Sequence, residues 1–345
     1  MSDKIINITT KNSILYDNIP IIRYTFGITF ILAVTSLINY ELSYLTTVLS
    51  LGYIAPGARP LKLKQGLGFV FSLIIITGLS VAFSAFFLDY PLVFMPLMAL
   101  ALLWIYYTDK LAVMVKLFSI ISILLIPLIS LEANAIGSFI AVNLVLNAFM
   151  AIILTQFVFW IFPWDETDKK FEKQKQSVVQ KTENERFIYA LNIITILLPL
   201  LLLFFIFKLT GGLLILIFTA ILSFSPALAN AKAGSIMIIA NIFGGIFAIL
   251  AYKFLVIVPH FTFLILITLS IALFFGARIF SNNKFAAVFS SGFSTFLLIL
   301  GSVTSSDAEA GNKVWVRVIQ IAIAVIYVVV SFRILNQFNK SKKHE

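Results

Sequence analysis

The chain has 345 residues, 61% hydrophobic and 12% charged, with a formal net charge of +10 and no cysteine. Soluble domains are about half apolar and a quarter charged, so this balance excludes an ordinary soluble enzyme and points to a membrane protein. Without cysteine there are no disulfides and no thiol chemistry.

The N-terminal stretch carries Asp3, Lys4 and Lys11. The first apolar segment, from Ile19, is long enough to span and has no small-residue cleavage site behind it, so an uncleaved first helix is expected. Runs such as FVFSLIIITGLSVAFSAFFL (69–88) and IITILLPLLLLFFIF (193–207) follow. Such lengths match a hydrocarbon core of about 30 Å when helical. Barrel strands would alternate polar and apolar residues, and these runs do not. Backbone groups in lipid must be satisfied internally, which makes a helical bundle the default.

Twelve spans are predicted. The first six are Ile21–Leu37, Leu42–Ala55, Gly66–Leu88, Pro91–Tyr107, Leu111–Ile129 and Ile136–Phe162. The last six are Phe187–Phe207, Leu213–Leu228, Ser235–Val258, Phe261–Phe275, Phe285–Val303 and Val314–Leu335. Between them, WDETDKKFEKQKQSVVQKTENER (164–186) reads as a solvated, partly helical linker, too short for a folded domain. The expected layout is a first six-helix repeat over 1–163, a charged linker over 164–186, a second repeat over 187–336 and a basic tail over 337–345.

Every Lys and Arg except Lys208, Lys253, Lys313 and Arg317 falls on the side of the termini and the linker. Cationic loops stay in the cytoplasm, so both termini and the linker are expected there. Topology thus accounts for the basic charge, and nucleic acid is not expected as a partner. The fold class is an all-α polytopic membrane protein of about twelve transmembrane helices in two parallel six-helix repeats. Lys64 and Lys232, Gly66 and Gly234, and Pro91 and Pro259 are each 168 residues apart, which supports the repeat.

The stretch LGYIAPGARPLKLKQG (51–66) breaks the apolar pattern, and FSPALANAKAG (224–234) does so in the corresponding place of the second half. Proline removes a backbone donor and glycine tolerates left-handed dihedrals. Paired interruptions of this kind point to a transporter's binding site. Two readings stay open: ordinary helix ends with positive-inside cations, or a substrate-facing break. The candidate substrate-binding residues are Pro56, Arg59, Lys62, Lys64, Pro226 and Lys232, with Lys116, Asn143 and Asn147 inside spans. Lys116 either snorkels or faces an anion path. Asn143 and Asn147, four apart on one helical face, bond between helices or line such a path, as does Gln156. No carboxylate lies mid-span, so any proton coupling falls to the loop acids Glu41, Asp89 and Glu132. No catalytic constellation, metal-ligand spacing or nucleotide loop is present, so no cofactor and no metal are expected.

The interrupted stretch, with its run-up RYTFGITFILAVTSLINYELSYLTTVLS (23–50) and the later DYPLVFMPLMALAL (89–102), resembles the membrane domain of the fusaric-acid-resistance and aromatic-acid-exporter superfamily. The matching features are Arg23 opening the first helix, a second helix closing in APGARP, a Gly-containing third helix and an acidic-Pro turn into the fourth. The resemblance covers mainly residues 20–165. It implies a bacterial inner-membrane efflux protein for aromatic carboxylates or similar amphipathic organic anions, often working with a periplasmic adaptor protein. The absence of a sizeable cytoplasmic domain after either half suggests a shorter branch. Expected partners are membrane lipid, a small organic anion and the adaptor, and a homo-oligomer is compatible with the sequence. Two other readings remain: an integral-membrane enzyme acting on lipid or polyprenyl substrates, and an accessory subunit of a membrane complex.

Overall fold

The structure, a computed structural model, describes residues 18–171, 182–223, 231–281 and 285–304, and in the last segment 316, 319–320, 322–324 and 326–334. It is helical throughout, with no strand among the described residues. In chain order the helices are α1 (Ile19–Ile38), α2 (Tyr44–Tyr53), α3 (Leu63–Phe87), α4 (Pro91–Tyr107), α5 (Val113–Ser130), α6 (Asn134–Ile161), the short α7 (Glu166–Lys169), α8 (Glu183–Ile206), α9 (Leu213–Ser223), α10 (Ala231–Ile257), α11 (Phe261–Ile279) and α12 (Ala286–Thr304). A final apolar helix, α13, covers Ala322–Ile334.

Each of the twelve predicted stretches contains one of these helices, but their lengths differ. Six are long and apolar enough to cross a membrane: α1, α3, α6, α8, α11 and the Ile239–Ile257 part of α10. This is the signature of a multi-pass membrane protein. The expected Leu42–Ala55 is shorter than predicted, with 10 residues in α2. At 1.5 Å per residue α2 rises about 15 Å, roughly half of a hydrocarbon core. Pro56 is the reason for α2, because it disfavours helical dihedrals at Ala55 and stops the helix before it. The segment after Ser223, with Pro226, lies outside the described residues.

The surface supports the membrane reading. Leu92, Trp160 and Phe86 are more than 70% exposed, and α3 is apolar all round with little of it buried. A helix in water needs an apolar stripe and a polar face, whereas one in lipid does not. Pro20 and Pro91 occupy the first turns of α1 and α4, where a missing N–H costs nothing. Asn39 ends α1 in the left-handed conformation and donates its N–H to the Thr35 carbonyl at 3.0 Å.

The chain forms two compact units, each drawn from both halves. The first contains residues 1–66, 147–176 and 243–314. In it α1 packs on α2 and α11, α12 packs on α2 and α11, and α7 lies against α1. Its core is aromatic: Tyr24 meets Phe280 and Phe293, and Phe293 stacks on Phe275 and Phe296. Gly244 of α10 lies so close to the Gly292 backbone of α12 that any Cβ there would collide with it.

The second unit contains residues 67–146, 177–242 and 315–345. Here α8 packs on α4 and α9, and α5 packs on α4 and α9. Phe94, Met98 and Leu102 of α4 interlock with Leu197, Leu201 and Phe204 of α8. The Tyr106 hydroxyl donates to the Ala220 carbonyl at 3.0 Å, and Tyr327 of α13 to the Ile196 carbonyl at 2.8 Å.

Candidate functional site

The interruption at 51–66 builds a cleft in the first unit. The Ala58 N–H donates to the Ala55 carbonyl at 2.9 Å, closing a turn with Pro56 second and Gly57 third. Gly57 has φ 73°, the left-handed value that a type II turn requires in that position. The chain then runs irregularly to Lys62, whose N–H is capped by the Gln65 side chain at 3.3 Å, and α3 begins. Gln156 of α6 fixes the strand of chain in between by donating to the Leu61 carbonyl at 2.9 Å.

Arg59 and Pro60 form one wall of an open cleft of about 550 Å³. The end of α6 and the residues after it form the other: Gln156, Phe159, Trp160, Pro163 and Trp164. The Arg59 guanidinium lies over the Trp164 ring, 5.2 Å from its centroid. The Trp164 indole N–H is buried and meets no acceptor among the described residues.

A buried ion pair holds the second wall. Arg23 makes a bidentate pair with Asp168 of α7, and one of its nitrogens also donates to the Pro163 carbonyl at 3.2 Å. Its guanidinium sits over Phe159 at 4.8 Å. Asp168 also accepts the Asp165 N–H at 2.9 Å, which completes a capping box for α7. Phe171 then packs edge-on against Phe280. The start of the linker, expected to be solvated, is therefore folded onto α1. Asp168 is fully buried because a cation and a backbone donor together replace its water.

The other predicted residues are distributed as follows. Pro56 shapes the turn, and Lys62 and Lys64 are exposed beside the cleft without lining it. Lys232 lies in the first turn of α10, but its side chain, like Pro226, falls outside the described residues. Asn147 is fully buried and takes the Thr46 N–H at 3.1 Å and the Thr46 hydroxyl at 2.8 Å, capping the start of α2. The Tyr40 hydroxyl joins this network at Thr46. Burial raises the Tyr40 phenol above its ordinary pKa, and the bond to Thr46 pulls the other way. Asn143 donates to the Phe139 carbonyl of its own helix at 2.9 Å. Lys116, in the second unit, is 6% exposed and lies 3.6 Å from Asp109, which also takes Arg186 at 2.8 Å. Glu41, Asp89 and Glu132 are exposed in the loops after α1, α3 and α5. Among the described residues no three His, Cys, Asp or Glu side chains gather so as to hold a metal.

Phe159 and the Arg23–Asp168 pair were not legible as parts of a site. One sat in an apolar run, and the other joined residues 145 apart through a segment whose charge spoke for solvent. The aromatic pattern Phe159-Trp160-Pro163-Trp164 at a helix end was the available signal. No family model, no curated protein and no solved structure matches this chain.

Proposed function

We propose that the protein is a transporter that exports aromatic carboxylates or similar amphipathic organic anions across the bacterial inner membrane, as the resemblance to the aromatic-acid exporters implies. The Arg59 cleft carries this reading. A guanidinium can take a carboxylate with two parallel hydrogen bonds, and the neighbouring indole and phenyl rings offer faces for an aromatic body. The volume of about 550 Å³ lies in the range of small-molecule sites. The interruption that ends α2 is of the kind that transporters place at substrate sites.

In the same reading the chain crosses the membrane twelve times as two six-helix repeats with both termini cytoplasmic. Helix pairing supports the repeat. Numbering the predicted spans, the first unit pairs span 1 with 2 and 10, and span 11 with 2 and 10. The second pairs span 7 with 8 and 4, and span 5 with 8 and 4. A shift of six spans turns one pattern into the other. Leu42 and Lys208, both left-handed non-glycine residues, stand a few residues before α2 and α9.

The test is to remove the gene and measure sensitivity to a panel of aromatic acids, then to restore either the parent chain or Arg59→Ala. The expected result is a gain of sensitivity that the parent reverses and Arg59→Ala does not. Unchanged sensitivity across acids, solvents and drugs would overturn the proposal.

A further inference from the structure

A second arrangement, in the second unit, is independent of the Arg59 cleft. Asp109 is shared by Arg186 at 2.8 Å and Lys116 at 3.6 Å, so two cations meet one carboxylate. Lys110, next in the chain, is exposed. The Arg186 guanidinium lies over Tyr107 at 5.8 Å, and its Nε is buried without a hydrogen-bond partner among the described residues.

A groove of about 470 Å³ begins one helical turn away, between α3, α4 and α5. Trp104 stands three residues before Tyr107 on α4, and Ser119 three residues after Lys116 on α5, and both line it. Residues three apart share a helix face, so the cluster and the groove lie along the same faces. From there the groove follows Ile123 and Pro127 on α5 and a stripe of α3 from Ile76 to Phe87. Its two hydroxyls are already committed: Ser80 donates to the Ile76 carbonyl at 2.9 Å and Ser119 to the Val115 carbonyl at 2.8 Å. Apart from the Trp104 indole at its edge, the groove therefore asks for hydrocarbon.

We propose that this unit binds one anionic glycerophospholipid, its phosphate at Arg186 and Lys110 and an acyl chain in the groove. Charge complementarity selects the occupant. Basic pockets between transmembrane helices take anionic headgroups. A zwitterionic headgroup would need an acid for its amine; Asp109 already serves two cations and Glu185 takes the Thr182 N–H, which leaves the exposed Glu183 of α8 as the competitor.

The experiment uses the full chain in detergent and native mass spectrometry, with phosphatidylglycerol and phosphatidylcholine of identical chains as probes. One phosphatidylglycerol should be retained in preference to phosphatidylcholine. Arg186→Ala and Lys110→Ala should each weaken it about fivefold without affecting phosphatidylcholine. Lys110→Ala keeps the test open if loss of Arg186 unfolds the protein. Ala101→Phe, which fills the groove, should weaken both lipids. Equal retention of the two lipids, or retention indifferent to both cation variants, overturns the proposal. Displacement of the lipid by chain-free glycerol phosphate also overturns it, by revealing a soluble-phosphate site instead.

Discussion

Arg23 and Asp168 stand 145 residues apart in sequence and form a bidentate ion pair with 2% and 0% of their side chains exposed. Replacing such a pair with apolar groups is often tolerated, whereas removing one partner strands the other charge. Arg23→Ala should therefore cost about 3–5 kcal/mol. Asp168→Asn, which keeps one acceptor oxygen but leaves the Arg23 charge buried without a counter-ion, should cost a comparable amount. Thermal unfolding in detergent checks both, and a shift no larger for Arg23→Ala than for a surface change such as Lys64→Ala would contradict the prediction.

The Trp164 ring is the platform for Arg59. Exposed cation–aromatic contacts are worth about 0.5–1 kcal/mol, so Trp164→Ala should weaken binding of an aromatic acid at least two- to fivefold. Trp164→Phe should retain most of the affinity. Equilibrium binding of radiolabelled benzoate-type probes to purified protein measures the difference.

Gly57 occupies left-handed backbone at φ 73°. Gly57→Ala should destabilise by about 1–2 kcal/mol. The opposite change is expected at Leu42, where φ is 56° and the side chain is already present. Leu42→Gly should gain up to about 1 kcal/mol, less whatever packing the leucine supplies. The two substitutions should move the melting temperature in opposite directions.

Asn147 satisfies both the N–H and the hydroxyl of Thr46 in a buried setting. Asn147→Leu removes one acceptor from each group, the N–H keeping the Ser43 carbonyl and the hydroxyl the Asn147 main-chain carbonyl, both at 3.1 Å, and should cost about 0.5–1.5 kcal/mol. Asn147→Ala, which admits a water, should cost less. Loss of hydrogen-exchange protection at the start of α2 is the local readout.

Each compact unit is assembled from both halves of the chain. Fragments 1–171 and 182–345 expressed alone should be protease-sensitive, and co-expressed they should recover a resistant complex. Resistance of either fragment by itself would show that a half-chain is self-sufficient.

The helices were legible because long apolar runs carry their own length information, as for α3 and α8. The end of α2 was harder, because an apolar residue beyond a helix end looks like one inside it. Arg59 could be picked out by its proline and glycine neighbours. Its wall could not, because the pairing of Trp164 with Arg59 depends on how Arg23 folds the linker back. The pairing of α1 with α11 and of α4 with α8 was also hidden. In lipid-facing helices nearly every face is apolar, so periodicity does not say which face meets protein.

The interleaving of the halves sets a schedule for biosynthesis. Tyr24 on α1 finds its partners Phe280 and Phe293 only after α11 and α12 have been made. At about 5–20 residues per second, the roughly 240 residues between α1 and α11 mean a delay on the order of 10–50 s. Through that interval the face of α1 around Tyr24 stands without its second-half partners. An unfinished α1 is thus expected to expose that face in the bilayer until α11 and α12 arrive, and raising insertase supply should raise the yield.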